Sequence, residues 1–88
     1  MFKVRCVNPG ALSSREVEVV ILMISGYVNK KISCLLGIST RTVNIHLRHV
    51  YSKLGLTYES YEYSMNPRVL ANNILLDSGM FEILSSES

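Results

Sequence analysis

The chain has 88 residues, of which 48% are hydrophobic, and its formal net charge at pH 7 is +2. This length allows one small domain. The longest apolar run, Val19 to Ile24, has six residues, which excludes a membrane-spanning helix because such a helix needs about 20. The first ten residues lack the features of a secretory signal. Two cysteines, Cys6 and Cys34, are too few for a disulfide framework, so we predict reduced thiols and a cytoplasmic protein.

Turn and capping residues divide the chain into an N-terminal arm, residues 1–11, and a helical domain, residues 12–88. Ser13 and Glu16 have the spacing of a capping box at the start of a helix. Glycines and a proline mark the later starts and stops. The predicted helices follow residues 13–25, 29–36, 40–54 and 67–78. The predicted fold is therefore all-α, with four helices.

The charges are unevenly distributed along the chain. Between Val19 and Tyr58 there are five basic residues and no acidic one, whereas residues 54–88 contain five acidic residues and only one basic residue. A basic segment of this kind is typical of a nucleic-acid-binding face, although an ordinary solvated surface fits the charges equally well. The geometry of the helices must decide between these two interpretations.

The second and third predicted helices are joined by the three residues Gly37, Ile38 and Ser39, which is the spacing of a helix-turn-helix motif. The third helix has an apolar stripe that includes Val43 and Leu47 on one side and a polar, acid-free side opposite. In the DNA major groove, such a helix contacts base edges with its exposed face. The residues suited to base edges are Asn44, Arg41, Arg48 and Ile45. Those suited to phosphates near the helix N-terminus are Ser39, Thr40 and Thr42.

Three stretches of sequence carry a resemblance to a known family: LSSREVEV (12–19), GYVNKKI (26–32) and LGISTRTVNIH (36–46), followed by Val50 and by KL at 53–54. Over residues 12–56, without a gap, they resemble the LuxR/GerE-type DNA-binding domains. The resemblance implies a bacterial transcription regulator that binds double-stranded DNA as a homodimer. The family's base-reading positions fall on Asn44, Ile45 and Arg48, and its backbone contacts fall on Lys30, Thr42 and Lys53. Its fourth helix, which commonly forms the dimer contact, corresponds to residues 67–78.

The chain departs from this family pattern at several places, which include Lys31 where Glu is common and Ser33 where Ala is common. Asn44 stands where the family usually has Lys, which favours adenine over guanine. Val28 replaces the usual Ser or Thr cap of the second helix, which leaves Asn29 as the expected substitute. The connection over residues 57–66 is longer than in the family and contains Tyr58, Tyr61 and Tyr63. We expect these tyrosines to anchor the loop rather than to bind a ligand.

Apolar residues occur on two faces of both the first and the fourth predicted helix, although one core needs only one face of each. On the first helix, either the N-terminal segment with Phe2, Val4 and Val7 or a partner protein is expected to cover the second face. On the fourth helix, the second face is the predicted dimer contact, formed by Val69, Leu76 and Met80.

Other functions are less well supported by the residues. His46 and His49 are three residues apart without a third metal ligand nearby, and no catalytic constellation is recognisable, so we expect no metal, no cofactor and no enzymatic activity. A redox role for Cys34 is less favoured than a passive thiol.

Three interpretations of the function remain. The favoured one is a dimeric, sequence-specific DNA-binding transcription regulator, either a stand-alone protein or a fragment of a longer one. The alternative is an interaction module that heterodimerises with another regulator, with DNA contact secondary or lost. A third, a promoter-binding fragment of a sigma factor that acts with RNA polymerase, leaves the predicted dimer contact unexplained.

Overall fold

A computed structural model describes residues 2–56 and 67–86. The elements run β1 (Phe2–Cys6), α1 (Ser14–Ile24), α2 (Asn29–Leu36), α3 (Thr40–Lys53), α4 (Pro67–Asp77) and β2 (Phe81–Ser86). The four predicted helices are confirmed, with bounds that differ from the expected ones by at most one residue or so. The all-α class is only approximate, because two short strands flank the helices. Tyr58, Tyr61 and Tyr63 lie outside the described residues.

The two strands form an antiparallel pair that joins the ends of the chain. Val4 lies opposite Ile83, and Cys6 lies opposite Phe81, with a bulge between Lys3 and Val4. This pair was not predicted from the sequence, because each strand is short and its partner is almost a whole chain length away, so that no local pattern indicates it. The arm predicted over residues 1–11 therefore contains a strand of the folded domain.

The N-terminal segment folds back onto α1. This was one of the two expectations for the second apolar face of that helix, the other being a partner protein. The Phe2 amide donates to the Ser25 carbonyl at 3.1 Å, directly after α1. Val4 packs against the core, whereas Phe2 and Val7 remain exposed. The chain itself thus covers part of the second apolar face of α1.

Helix α1 begins with the predicted capping box. The Glu16 amide donates to Ser13 Oγ at 3.2 Å, and the Ser13 amide donates to Glu16 Oε1 at 2.9 Å. These two bonds satisfy backbone donors that a helix N-terminus leaves without an intrahelical partner. The same geometry holds the Glu16 carboxylate inside the domain, where Glu16 is 4% exposed.

One apolar core unites the helices with β2. Its buried members are Leu12, Val19, Val20, Met23, Ile24, Ile32, Val43, Leu47, Val50, Ala71, Leu75 and Phe81. Helix α3 contributes three of them and is thereby fixed on α1 and α2, which leaves its opposite side outside the core. In the described part of the chain, no helix is long and apolar enough to cross a membrane.

Candidate nucleic-acid interface

A tight turn fixes the angle between α2 and α3. Gly37 has a φ of 66°, a left-handed conformation that favours glycine because other residues have a clashing Cβ. The Ile38 amide then donates back to the Ser33 carbonyl at 3.0 Å. Ser39 caps α3, since its Oγ accepts from the Thr42 amide at 3.0 Å. These local bonds produce the helix-turn-helix that the sequence predicted.

The two sides of α3 differ sharply in burial. Val43, Leu47 and Val50 are at most 3% exposed and belong to the core. The opposite side is exposed and consists of Arg41, Asn44, Ile45 and Arg48. A rigid helix with one seated side and one open, acid-free side has the form that DNA-binding proteins place in the major groove.

The predicted phosphate contacts other than Lys53 lie around the N-terminal end of this open side. Lys30 is exposed on α2, and Thr40 is exposed at the start of α3. The Thr42 hydroxyl is half-buried and lies 2.9 Å from Ser39 Oγ. The Thr40 hydroxyl donates to Ser33 Oγ at 3.4 Å. Both threonine hydroxyls are thus held in place by bonds within the protein.

Lys53, at the far end of α3, bonds to the protein itself. Its Nζ lies 2.6 Å from Glu16 Oε1, and His49 Nδ1 lies 3.7 Å from Glu16 Oε2. Burial alone would raise the pKa of Glu16. The hydrogen bonds from Lys53 and from the Ser13 amide, together with the positive charge of Lys53 and the attraction of His49 when it is protonated, outweigh burial and lower the pKa of Glu16 below its ordinary value of 4.5. The charge of Lys53 is therefore largely balanced inside the domain.

Asn29 does not cap α2, contrary to expectation. Val28 occupies the cap position without a side-chain hydrogen bond, and Asn29 is the first helical residue. The Asn29 side chain instead links two other elements: its Nδ2 donates to Asn44 Oδ1 at 2.8 Å, and its Oδ1 accepts from Arg68 Nη1 at 2.8 Å. Arg68 also donates to the Tyr27 carbonyl. No sequence signal points to this link, since its members are 15 and 39 positions apart.

The three residues predicted to form a dimer contact have different environments. Val69 is 45% exposed on α4. Leu76 and Met80 are half-buried and pack against the core of their own chain. The Met80 carbonyl also accepts from the amides of Val7 and Asn8. The structure thus brings Leu76 and Met80 toward the core and leaves Val69 facing outward.

Comparison with known proteins agrees with this architecture. The sequence model of the family described as "Bacterial regulatory proteins, luxR family" matches residues 10–64. The oxygen regulatory protein NreC of Staphylococcus aureus, strains JH9 and JH1, is 41% identical over 61 residues, which cover 67% of this chain and 28% of NreC. No solved structure gives a significant match. The chain therefore belongs to the luxR family of bacterial regulatory proteins and contains its DNA-binding helix-turn-helix domain, while it spans little more than a quarter of the length of these relatives.

Proposed function

We propose that the chain binds double-stranded DNA in a sequence-specific manner, as a dimer, and thereby regulates transcription, with α3 in the major groove. The observation that carries this proposal is the open side of α3, which is exposed and free of acidic residues while Val43, Leu47 and Val50 anchor the other side in the core. A helix held in this way inserts into the groove without rearrangement. The role is binding, without a chemical step.

The proposed contacts fall into two sets. Arg48 and Arg41 are suited to guanine, Asn44 to a polar base edge and Ile45, which is 43% exposed, to a thymine methyl group. Lys30, Thr40 and Thr42 contact phosphates and fix the position of α3 along the duplex. Lys53 contributes less to DNA binding than the family pattern implies, because its ammonium group is held by Glu16.

The proposed dimer forms through the outward side of α4. Val69 supplies exposed apolar surface there, and half-buried Leu76 extends it. Met80 is held by the chain's own core and adds less. Two copies related by a two-fold axis present two α3 helices, which fits the usual match between protein symmetry and palindromic operators.

Selection of bound sites from random DNA tests the proposal. We expect an enriched site with two-fold symmetry, and gel shifts of that site that weaken as salt concentration rises. Light scattering of the complex should give the mass of two chains plus one DNA duplex. Absence of any enriched site would contradict sequence-specific binding, and an enriched site without symmetry would contradict the dimer.

One observation favours the alternative of an interaction module. Phe2, Ile83 and Leu84 are between 43% and 50% exposed at one end of the two-stranded sheet, which is unusual for large apolar side chains. A second regulator that binds at this end of the sheet would bury these three side chains. In that case Leu84→Lys would abolish binding of the partner regulator, and the random-DNA selection would enrich nothing.

A further inference from the structure

We propose that Asn29 and Arg68 set the base preference of Asn44, so that Asn44 offers its amide NH2 group to DNA and prefers guanine to adenine. This inference rests on the proposed DNA binding and specifies which base Asn44 recognises there. Asn29 and Arg68 are positioning residues here: neither belongs to α3, and they act on DNA through the side chain that they orient.

A chain of two hydrogen bonds connects α4 with the open side of α3. Arg68 Nη1, in the first turn of α4, donates to Asn29 Oδ1 at 2.8 Å. Asn29 Nδ2, at the start of α2, donates to Asn44 Oδ1 at 2.8 Å. Arg68 is itself fixed by its bond to the Tyr27 carbonyl. The Asn44 amide is therefore held from one side by Asn29 of α2, a helix that lies outside the major groove in the proposed complex.

The chemistry of the guanidinium group determines the direction of both bonds. Arginine has only donors, so the Asn29 atom that faces Arg68 must be the carbonyl oxygen. The other end of the Asn29 amide is then its NH2 group, which requires an acceptor. Asn44 provides one in Oδ1. An amide oxygen and an amide nitrogen are alike in size, so the orientation of an amide group must be inferred from its partners. Here Arg68, which can only donate, determines the orientation of the Asn29 amide and, through it, that of the Asn44 amide.

This orientation leaves Asn44 with donors to satisfy. One acceptor site of Oδ1 is occupied by Asn29, while neither Nδ2 hydrogen takes part in that bond. Guanine shows two acceptors, N7 and O6, in the major groove, whereas two-point recognition of adenine needs the amide oxygen to accept from N6 as well. Because an unpaired N–H is costly once water has left the interface, guanine fits better. The structure thus reverses the preference for adenine that the sequence alone indicates.

The substitution Asn29→Asp tests this inference. Aspartate keeps the acceptor for Arg68 but presents an acceptor to Asn44 in place of a donor. Asn44 should then turn its NH2 group toward residue 29 and offer Oδ1 to DNA, which matches the donors of adenine N6 or cytosine N4. The base pair concerned is the one whose preference disappears in Asn44→Ala. There, wild type should bind guanine about tenfold better than adenine, and Asn29→Asp should abolish or reverse this ratio.

A matched control separates orientation from charge. Val28→Asp adds the same negative charge one residue away, at the cap position of α2, where Val28 is 66% exposed and forms no side-chain cap. Both variants should lose overall affinity through repulsion of phosphates. Only Asn29→Asp should change the ratio of guanine to adenine. An unchanged ratio in Asn29→Asp, with DNA still bound, would overturn the inference and leave the proposed function intact.

A second measurement needs no DNA. In the free protein, nuclear Overhauser effects should connect the side-chain NH2 protons of Asn29 with the side chain of Asn44, and they should vanish in Arg68→Ala, where nothing fixes the Asn29 amide. Their absence in wild type would overturn the inference directly. If wild type shows these effects but selects no DNA site, the proposed function fails and the base preference fails with it.

Discussion

Two basic residues in the C-terminal half of α3 have different environments. Arg48 and Lys53 are both basic, both exposed and only five positions apart. Lys53 is bonded to Glu16, a buried carboxylate of α1, while within the described residues no ion pair involves Arg48. We therefore expect Arg48 to be more available to DNA than Lys53, whose ammonium group is held by Glu16.

This difference shows how a charge count misleads. The sequence suggests five basic residues on one acid-free segment, because Glu16 lies outside that segment in the chain. Folding brings Glu16 under the end of α3, where burial makes it a stronger partner than a solvated acid would be. The proposed DNA-binding surface therefore centres on Arg41, Asn44 and Arg48 rather than on the whole helix.

The largest effect is expected from the removal of the Arg48 side chain. We expect Arg48→Ala to lose about 1–3 kcal/mol of binding free energy on the selected site and to lose much less on random DNA, because a bidentate contact to guanine discriminates by that amount. Competition gel shifts on both DNAs measure it. Equal losses on both would mean that Arg48 contacts only phosphates.

Lys53 should affect folding more than binding. We expect Lys53→Met to lower the free energy of unfolding by about 1–2 kcal/mol, since the buried Glu16 carboxylate loses its hydrogen bond from the Lys53 ammonium group. The value lies below that of a fully buried pair because the Lys53 side chain is 36% exposed and water replaces part of the bond. Urea denaturation measures the change.

Arg48→Met is the matched control for Lys53→Met, since both replace a basic residue of α3 by methionine. It should change the free energy of unfolding by no more than about 0.5 kcal/mol. Equal destabilisation by the two variants would show that the contrast between Arg48 and Lys53 does not exist.

Salt dependence distinguishes Lys30 from Lys53. We expect Lys30→Ala to weaken binding to all DNA sequences alike and to reduce the slope of log K against log salt by about 0.9, the value for one phosphate contact. Lys53→Met should reduce the slope by clearly less, because Glu16 already neutralises its charge. Binding measured over several salt concentrations gives both slopes. An equal reduction of the slope in both variants would show that Lys53 contacts a phosphate as Lys30 does.

The smallest expected effect is a change with pH. Since the pKa of Glu16 is lowered by folding, the ionised carboxylate stabilises the folded state above about pH 4.5, and this contribution disappears as pH falls through the lowered value. Glu16→Gln keeps the capping box but removes the charge. The difference in unfolding free energy between wild type and Glu16→Gln should therefore shrink on acidification. Urea denaturation of both proteins from roughly pH 3 to roughly pH 7, where carboxyl groups titrate, measures this difference. A difference that stays constant over this range would contradict the prediction.

Much of the helix-turn-helix could be predicted because the residues that specify it are close together in the sequence. The capping box at Ser13, the left-handed Gly37 and the spacing of Val43 and Leu47 each depend on residues within one or two turns. Such short-range geometry repeats wherever the same residues occur. The helix bounds and the exposed side of α3 followed from it. The strands did not, because Phe81 lies opposite Cys6, at the other end of the chain.

The helix-turn-helix and the polar side of α3 are specified by local sequence, since these depend on backbone geometry over a few residues. Which polar groups remain available depends on the tertiary structure. It placed buried Glu16 against Lys53 and linked Arg68 through Asn29 to Asn44. The physical reason is that hydrogen bonds and ion pairs form between groups that are close in space, and packing brings together residues from distant parts of the chain.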